Sequence, residues 1–315
     1  MNKTEEIKKN LKDNRIFLLI IFVFVFMSLT SSAFLTSYNI RNVARDISIP
    51  GILSCGVLML MVSGNFDLSV GATLGLAGAI SAKLSVYGYP LLTIFLIIIL
   101  FGFVIGLING LMVGYLKINS LITTLSMMFI LRSILILMLG SRAVFGMSDN
   151  YIRLAEGSLG LVPIEFIYLL VVAVLSYFFL QKSVFGRHIY IIGSSEKSAF
   201  LAGTNINLHL LVIYIIVGIL SALAGIIYTA HYNVAVGVAG DGLEITVMTA
   251  VVVGGANLFG GRGTILRTIA GVLILEMIFN ALALHNVDPS WVSVVQGLII
   301  MVAVAVDVIS NKKEF

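Results

Sequence analysis

Residues 181–209, QKSVFGRHIYIIGSSEKSAFLAGTNINLH, are the one long stretch of this chain that cannot sit in lipid. Lys182, Arg187, His188, Glu196 and Lys197, with a patch of Gly, Ser, Thr and Asn, make it polar. Phe185, Ile189, Tyr190, Ile191, Ile192, Phe200 and Leu201 nevertheless keep it too apolar for a solvated linker, because disorder needs low hydrophobicity. Two readings follow from the residues: a loop between two membrane spans, or a docking element for a soluble partner. Gln181 and His209, at its ends, close the flanking spans.

What surrounds this stretch is apolar. Of 315 residues 59% are hydrophobic and 11% charged, and the mean hydropathy is +1.10. Globular domains carry about 25% charged residues, so the composition indicates an all-α polytopic membrane protein. With about 20 residues per spanning helix, the chain has room for about ten spans and little else. It reads as a single transmembrane domain over 1–315, with an N-terminal segment 1–15, the polar stretch 181–209 and a tail 310–315 on one side. Cys55 is the single cysteine and sits in an apolar run, which excludes an intrachain disulfide and a Cys-based metal site. The leader MNKTEEIKKNLKDNR and the run Ile16–Phe34 resemble a signal peptide, with Ser31-Ser32-Ala33 as a cleavage site. The long apolar run and the acids in the leader favour a retained first span.

The apolar runs predict spans near 16–35, 47–64, 68–87, 90–115, 120–140, 160–180, 210–230, 244–259, 264–284 and 291–309. Spans two and three are interrupted at Gly64-Asn65-Phe66-Asp67, and spans eight and nine at Phe259-Gly260-Gly261-Arg262-Gly263. Each pair can be full helices or broken, re-entrant ones, which require protein or water over the exposed backbone. Ten spans put both termini on one side. Thirteen of the 19 Lys and Arg residues then share that side, while Arg41, Arg45, Arg142 and Arg153 lie opposite and Lys83 and Arg132 fall within spans. The positive-inside rule makes the basic side cytoplasmic, and it carries 181–209 with it. The net charge of +4 is thus explained by topology, and no basic-aromatic cluster suggests nucleic acid.

Residues Asp67–Ala79 align without gaps on Glu244–Ala256, with Leu68 on Ile245, Ser69 on Thr246 and Val70 on Val247. The two segments begin spans three and eight, five apart, the spacing of an inverted 5+5 repeat. Gly102, Gly106 and Gly110 lie on one face of span four and predict close helix packing. Charged groups in or beside spans are few. Asp67 and Glu244 stand at span starts, where a carboxylate caps a helix, and Arg132 can pair with an acid such as Glu276. Asn65, Asn109, Thr123, Thr124, Asn257 and Asn280 suit a path for hydroxyl-rich solutes, and interhelical hydrogen bonding explains them equally well. His231 and His285 read as isolated, with no third ligand for a metal. There is no catalytic constellation and no G-x-x-x-x-G-K-[ST], so the chain has no nucleotide loop of its own, and any energy from ATP must come from another chain.

Several segments resemble one family in one order. Gly64-Asn65-Phe66-Asp67-Leu68-Ser69-Val70-Gly71 is similar to the S-G-x-[IF]-D-L-S-V-G signature of ribose-type permeases of bacterial ATP-binding-cassette importers. Gly106-x-x-Asn109-Gly110, Leu121-Ile122-Thr123-Thr124-Leu125 and Arg132 resemble its G-x-x-N-G and T-L segments. Phe185-Gly186-Arg187, Ile192-Gly193, Glu196, Ala199 and Gly203-x-Asn205 resemble its cytoplasmic stretch, and Val251–Gly255 with Leu258–Thr264 its V-V-x-G-G-x-x-L-x-G-G-x-G segment. Thr204 and Ser198 depart mildly from the commoner Ile and Ala.

The resemblance implies a multi-pass permease of the bacterial inner membrane, with both termini cytoplasmic. It implies dimerisation with a like or related permease subunit, two cytoplasmic ATPase subunits that carry ATP and Mg, and delivery of solute by an extracytoplasmic binding protein. Residues 183–205 are then the ATPase-coupling segment. Phe185, Gly186, Arg187, Tyr190, Gly193, Glu196, Lys197, Ala199, Gly203 and Asn205 are its candidate coupling residues, with Tyr190, Phe200 and Leu201 as apolar anchors in the partner's groove. Asn65, Asp67, Asn109, Thr123, Thr124, Arg132, Glu244, Asn257 and Asn280 are candidates for the translocation path. The implied cargo is a monosaccharide such as ribose, another pentose or a hexose. A furanosyl signal, a nucleoside or an amino acid is the alternative on the same scaffold. An ion-coupled carrier would want more ionisable residues at mid-membrane.

Overall fold

The structure, a computed structural model, describes residues 15–140, 142–288 and 290–311. The predicted segments 1–15 and 310–315 lie outside the described residues, apart from Arg15 and residues 310–311. In lipid a backbone must satisfy its own polar groups, and the apolar runs accordingly form helices. In chain order these are α1 (Arg15–Thr30), α2 (Ser37–Asp46), α3 (Ser48–Val62), α4 (Val70–Val86), α5 (Leu91–Gly110), α6 (Ser120–Leu139) and the short α7 (Asp149–Ile152). A two-stranded hairpin, β1 (Ser158–Leu159) and β2 (Val162–Pro163), leads into α8 (Ile164–Tyr177), α9 (Val184–Ser194) and α10 (Glu196–Leu201). The chain ends with α11 (Ile206–Tyr232), α12 (Leu243–Val253), α13 (Ile265–Leu284) and α14 (Ser290–Asn311).

Six helical stretches are long and apolar enough to cross a membrane: Ser37–Val62, Leu91–Tyr115, Ser120–Leu139, Ile164–Lys182, Ile206–Tyr232 and Ile265–Leu284. Four shorter apolar helices, Ile16–Thr30, Val70–Val86, Leu243–Val253 and Ser290–Val302, fall at the positions of the other four predicted spans. The protein is therefore a multi-pass, all-α membrane protein. One boundary differs clearly from expectation. The polar run 37–46 was predicted to lie outside the second span, yet it forms α2, because Thr36 caps it by accepting from the Asn39 N–H at 3.3 Å. α2 then leads through Ile47 into α3.

Helix α3 is the axis of the bundle: every residue from Ser48 to Val62 is buried, against α8, α11, α12 and α13. Helix α11 is the other organiser and packs on α5, α4 and α3. The glycines explain how it comes so close. Side chains at Gly102 and Gly106 would run into the carbonyls of Gly218 and Tyr214, and one at Gly78 into Thr229. These are small-residue contacts that let backbones touch. Two helices running toward the α9 face end in wider π-helical turns, α5 at Leu111–Tyr115 and α8 at Phe178–Lys182. Such turns often accompany functional sites.

Candidate functional site

The break between α3 and α4 is a non-helical segment, Gly64–Ser69; the Gly64 and Asn65 N–H groups still bond the Met61 and Leu60 carbonyls of α3 at 3.0 and 2.9 Å, and the groups of Phe66 and Leu68 have no helical partner. Neighbouring side chains take them. The Leu68 N–H donates to Thr124 Oγ1 at 3.1 Å and the Phe66 N–H to Ser120 Oγ at 3.4 Å, both on α6. Tyr214 on α11 donates to the Phe66 carbonyl at 2.9 Å. Asn109 on α5 donates to Ser69 Oγ at 3.1 Å. Asp67 is buried and accepts from the Ser69 N–H at 2.7 Å and its hydroxyl at 2.6 Å. The capping expectation needs correction here: α4 begins at Val70 with Ser69 as its N-cap residue, so Asp67 braces the non-helical segment ahead of the helix. Asn65 contacts Ser63 at 3.3 Å. The hydroxyl of buried Thr123 has no partner.

The break between α12 and α13 is closed by backbone. The Asn257 N–H donates to the Arg262 carbonyl at 3.1 Å, and the Phe259 N–H donates to Asn257 Oδ1 at 2.7 Å. The Gly261 N–H reaches the last carbonyl of α3, Val62, at 2.8 Å. Gly260 approaches both Gly64 and Gly193. The two breaks therefore meet beneath α9.

Serines start the two short helices. Ser183 accepts from the Gly186 N–H at 2.9 Å to begin α9, and Ser195 accepts from the Ser198 N–H at 3.1 Å to begin α10. Asn205 caps α11, accepting from the Leu208 N–H at 3.1 Å. α9 is two-faced. Gly186, Ile189 and Ile192 are buried, and a side chain at Gly193 would overlap the Val62 carbonyl. Tyr190, offered by the sequence as an anchor for a partner, instead turns inward and donates to the Gly263 carbonyl at 2.7 Å. Burial pushes its hydroxyl up to about 12, so it stays a donor across the physiological range. Phe185 stacks on His209 at 4.2 Å. Arg187, Ile191, Glu196, Lys197, Phe200, Leu201, Gly203 and Asn205 are exposed, and Ala199 is buried. As expected, Gln181 and His209 belong to the flanking spans; Gln181 accepts from the Ile265 N–H at 3.1 Å.

On the opposite face Arg132 does not reach Glu276. It donates to the Ala239 carbonyl at 2.6 Å and lies 3.4 Å from Asp241, because the segment after α11 folds back over α6. Glu244, in the first turn of α12, lies against Gly71. Its Oε2 has no partner. Asn280 is engaged by Asn39 in a reciprocal pair at 2.9 and 3.1 Å. Of the path candidates, Asp67, Asn109 and Thr124 gather at the first break, Arg132 and Glu244 at the segment 239–244, and Asn257 and Asn280 elsewhere.

A cavity of about 180 Å³ above the first turn of α3 was not foreseen. Its walls carry Arg45, Asp46, Glu165, Tyr228, His231, Tyr232 and Glu276, over Ile49 and Pro50. His231 is not isolated, as the sequence suggested: its Nδ1 lies 3.0 Å from Glu165 Oε1, and Arg45 Nε lies 3.8 Å from the same oxygen. The one local signal was Tyr228, His231 and Tyr232 at helical spacing on a single face. Among the described residues no group of His, Cys, Asp and Glu is arranged to hold a metal.

Comparison with known proteins bears on these sites. The family described as branched-chain amino acid transport system / permease component matches residues 39–304. The D-allose transport system permease protein AlsC of Escherichia coli strain K12 is 34% identical over 297 residues, 94% of this chain and 91% of that one. The ribose import permease protein RbsC of Bacillus subtilis strain 168 is 35% identical over 293 residues, 92% and 91% of the two chains. The xylose transport system permease protein XylH of Haemophilus influenzae is 30% identical, covering 95% and 97%. No solved structure matches. The match over 39–304, together with relatives aligned along nearly their whole length, shows that the chain belongs to the family of branched-chain amino acid transport system permease components.

Proposed function

We propose that the chain is the transmembrane subunit of an ATP-binding-cassette importer that carries a monosaccharide, a pentose or hexose, into a bacterial cell. In this reading α1, α2 with α3, α4, α5, α6, α8, α11, α12, α13 and α14 make ten spans in two five-span halves of opposite orientation, with both termini cytoplasmic. Cytoplasmic ATPase subunits, holding ATP and Mg, dock on α9 and α10. A second permease subunit completes the pathway, and an extracytoplasmic binding protein delivers the sugar.

One observation carries the reading. An exposed face with charges and apolar side chains, Arg187 and Ile191 on α9 followed by Glu196, Lys197, Phe200 and Leu201 on α10, continues a helix α9 whose buried face touches both breaks at Gly193. An amphipathic helix of this kind suits a groove in a soluble partner. The relatives' sugar-transport names support the cargo class.

The test is uptake by vesicles holding the permease, its ATPase and its binding protein, offered radiolabelled D-ribose, D-allose, D-xylose and D-galactose. ATP-dependent uptake of one of them, lost with Arg187→Glu, is expected. Uptake without the ATPase would overturn the reading, as would transport of only amino acids or nucleosides. Orientation is checked by Lys197→Cys and Glu156→Cys in a Cys55→Ala background, which impermeant thiol reagents should label from opposite sides of the membrane.

A further inference from the structure

We propose that the cavity above α3 is a monosaccharide-binding site on the permease itself, the place where a sugar rests after leaving the binding protein. The inference rests on the sugar-importer reading above and adds where the sugar sits. Charged groups inside a membrane bundle are costly and are kept where they do something. Here Arg45, Asp46, Glu165, His231 and Glu276, from α2, α8, α11 and α13, converge on one space.

Their mutual pairing is incomplete. Glu165 is 1% exposed and gives one oxygen to His231 and Arg45, while its other oxygen, Oε2, has no partner. Arg45 Nε, too far from Glu165 to hydrogen-bond it, is likewise without an acceptor. A lining with donors and acceptors of both signs fits a ligand whose hydroxyls donate and accept. A bare cation would meet the Arg45 guanidinium. Tyr228 and Tyr232, with ring centroids 4.6 Å apart, add an aromatic wall for the C–H face of a sugar ring.

Size agrees: about 180 Å³ is below the roughly 300–1,000 Å³ of drug-sized ligand sites and suits one sugar ring. Position agrees as well. In the proposed orientation the cavity lies toward the extracytoplasmic side, and its floor, Ile49 and Pro50, is the start of the helix whose far end, Val62, meets α9.

The experiment uses two variants, Glu165→Gln and Tyr232→Ala. Tyr232 is half exposed, so its replacement leaves a foldable protein even where Glu165→Gln does not. Each is measured in the complete vesicle system at saturating sugar-loaded binding protein, and by thermal unfolding of the purified permease with and without the transported sugar among the four above. The sugar should raise the wild-type midpoint, since a ligand that binds only the folded state stabilises it. Either variant should lose that rise and at least tenfold of maximal uptake. A wild type that transports a sugar yet shows no rise overturns the proposal. So does a pair of variants that keep both the rise and the uptake. A wild type that takes up none of the four sugars overturns the importer reading and this site with it.

Discussion

The bundle is interrupted twice near α9, and the two interruptions are held in opposite ways. Between α3 and α4, Gly64–Ser69 is fixed by side chains of the bundle itself: Asn109 from α5, Ser120 and Thr124 from α6, and Tyr214 from α11. Between α12 and α13, the glycine-rich loop is fixed by its own backbone groups and by three other elements: the Val62 carbonyl that ends α3, Tyr190 on α9 and Gln181 after α8. Side-chain pins hold the first break to α5, α6 and α11, whereas the second is held to α3 by the Val62 carbonyl and to α9 by Tyr190. A displacement of α9 would pull on the second break through the Tyr190 hydrogen bond.

The largest effect that could break this comparison is expected from Gly193→Val. Its side chain would enter the space of the Val62 carbonyl and of the Gly261 N–H. ATP-driven uptake should fall to the background of empty vesicles while the permease still appears in membrane fractions; uptake within twofold of wild type would deny that α9 is seated on the breaks. Gly88→Ala is the matched control, because Gly88, though at φ +79°, has open space around it and should cost only about 1–2 kcal/mol in backbone strain. Next comes Thr124→Val, which orphans the Leu68 N–H and should destabilise by about 1–3 kcal/mol. Thermal unfolding should show it, while ATP consumed per sugar moved stays at the wild-type value.

Smaller again is Tyr190→Phe. Losing one hydrogen bond to the Gly263 carbonyl costs about 1 kcal/mol, and the expectation is a several-fold slower uptake with little change in unfolding temperature. The pH dependence has a definite sign. The hydroxyl is raised to about 12 from about 10 in a free tyrosine, so its contribution is whole below pH 10 and lost only as pH climbs toward about 12. The ratio of wild-type to variant uptake should therefore be flat from pH 6 to 9. The smallest effect is expected from Asn257→Ala, which removes an exposed turn bond to the Phe259 N–H. At about 0.5 kcal/mol, it should shift unfolding slightly and leave transport alone; a large transport loss would mean that the second break is set by its own turn rather than by α9.

Much of this architecture could be read from the chain, because lipid imposes a simple demand. Apolar runs of sufficient length announced the helices, and the glycine interruptions at 64 and 260–263 announced both breaks. The glycine spacing on α5 announced a close helix contact, though not that α11 would be the partner. What could not be read depended on three-dimensional convergence. Glu165 and His231 are 66 residues apart, and nothing near either one marks the other as its partner. Tyr190 looked like an outward anchor because an isolated amphipathic helix does not reveal which face its own protein covers. The aligned acids Asp67 and Glu244 occupy different structural points, one in a non-helical segment and one within a helical turn. A local sequence match does not carry the hydrogen bonding of its surroundings.

The complete burial of α3 has a consequence for how the protein is made. An apolar helix entering a bilayer first meets acyl chains, yet in the finished protein none of its residues from Ser48 to Val62 keeps appreciable exposure. Its covers include α11, α12 and α13, which are synthesised only after another 140 residues or more of chain. Lipid must therefore be stripped from α3 late, when the C-terminal helices arrive. The N-terminal half cannot reach its final packing during its own synthesis, and a nascent chain halted after α8 would present α3 to lipid and to the quality-control proteases of the membrane.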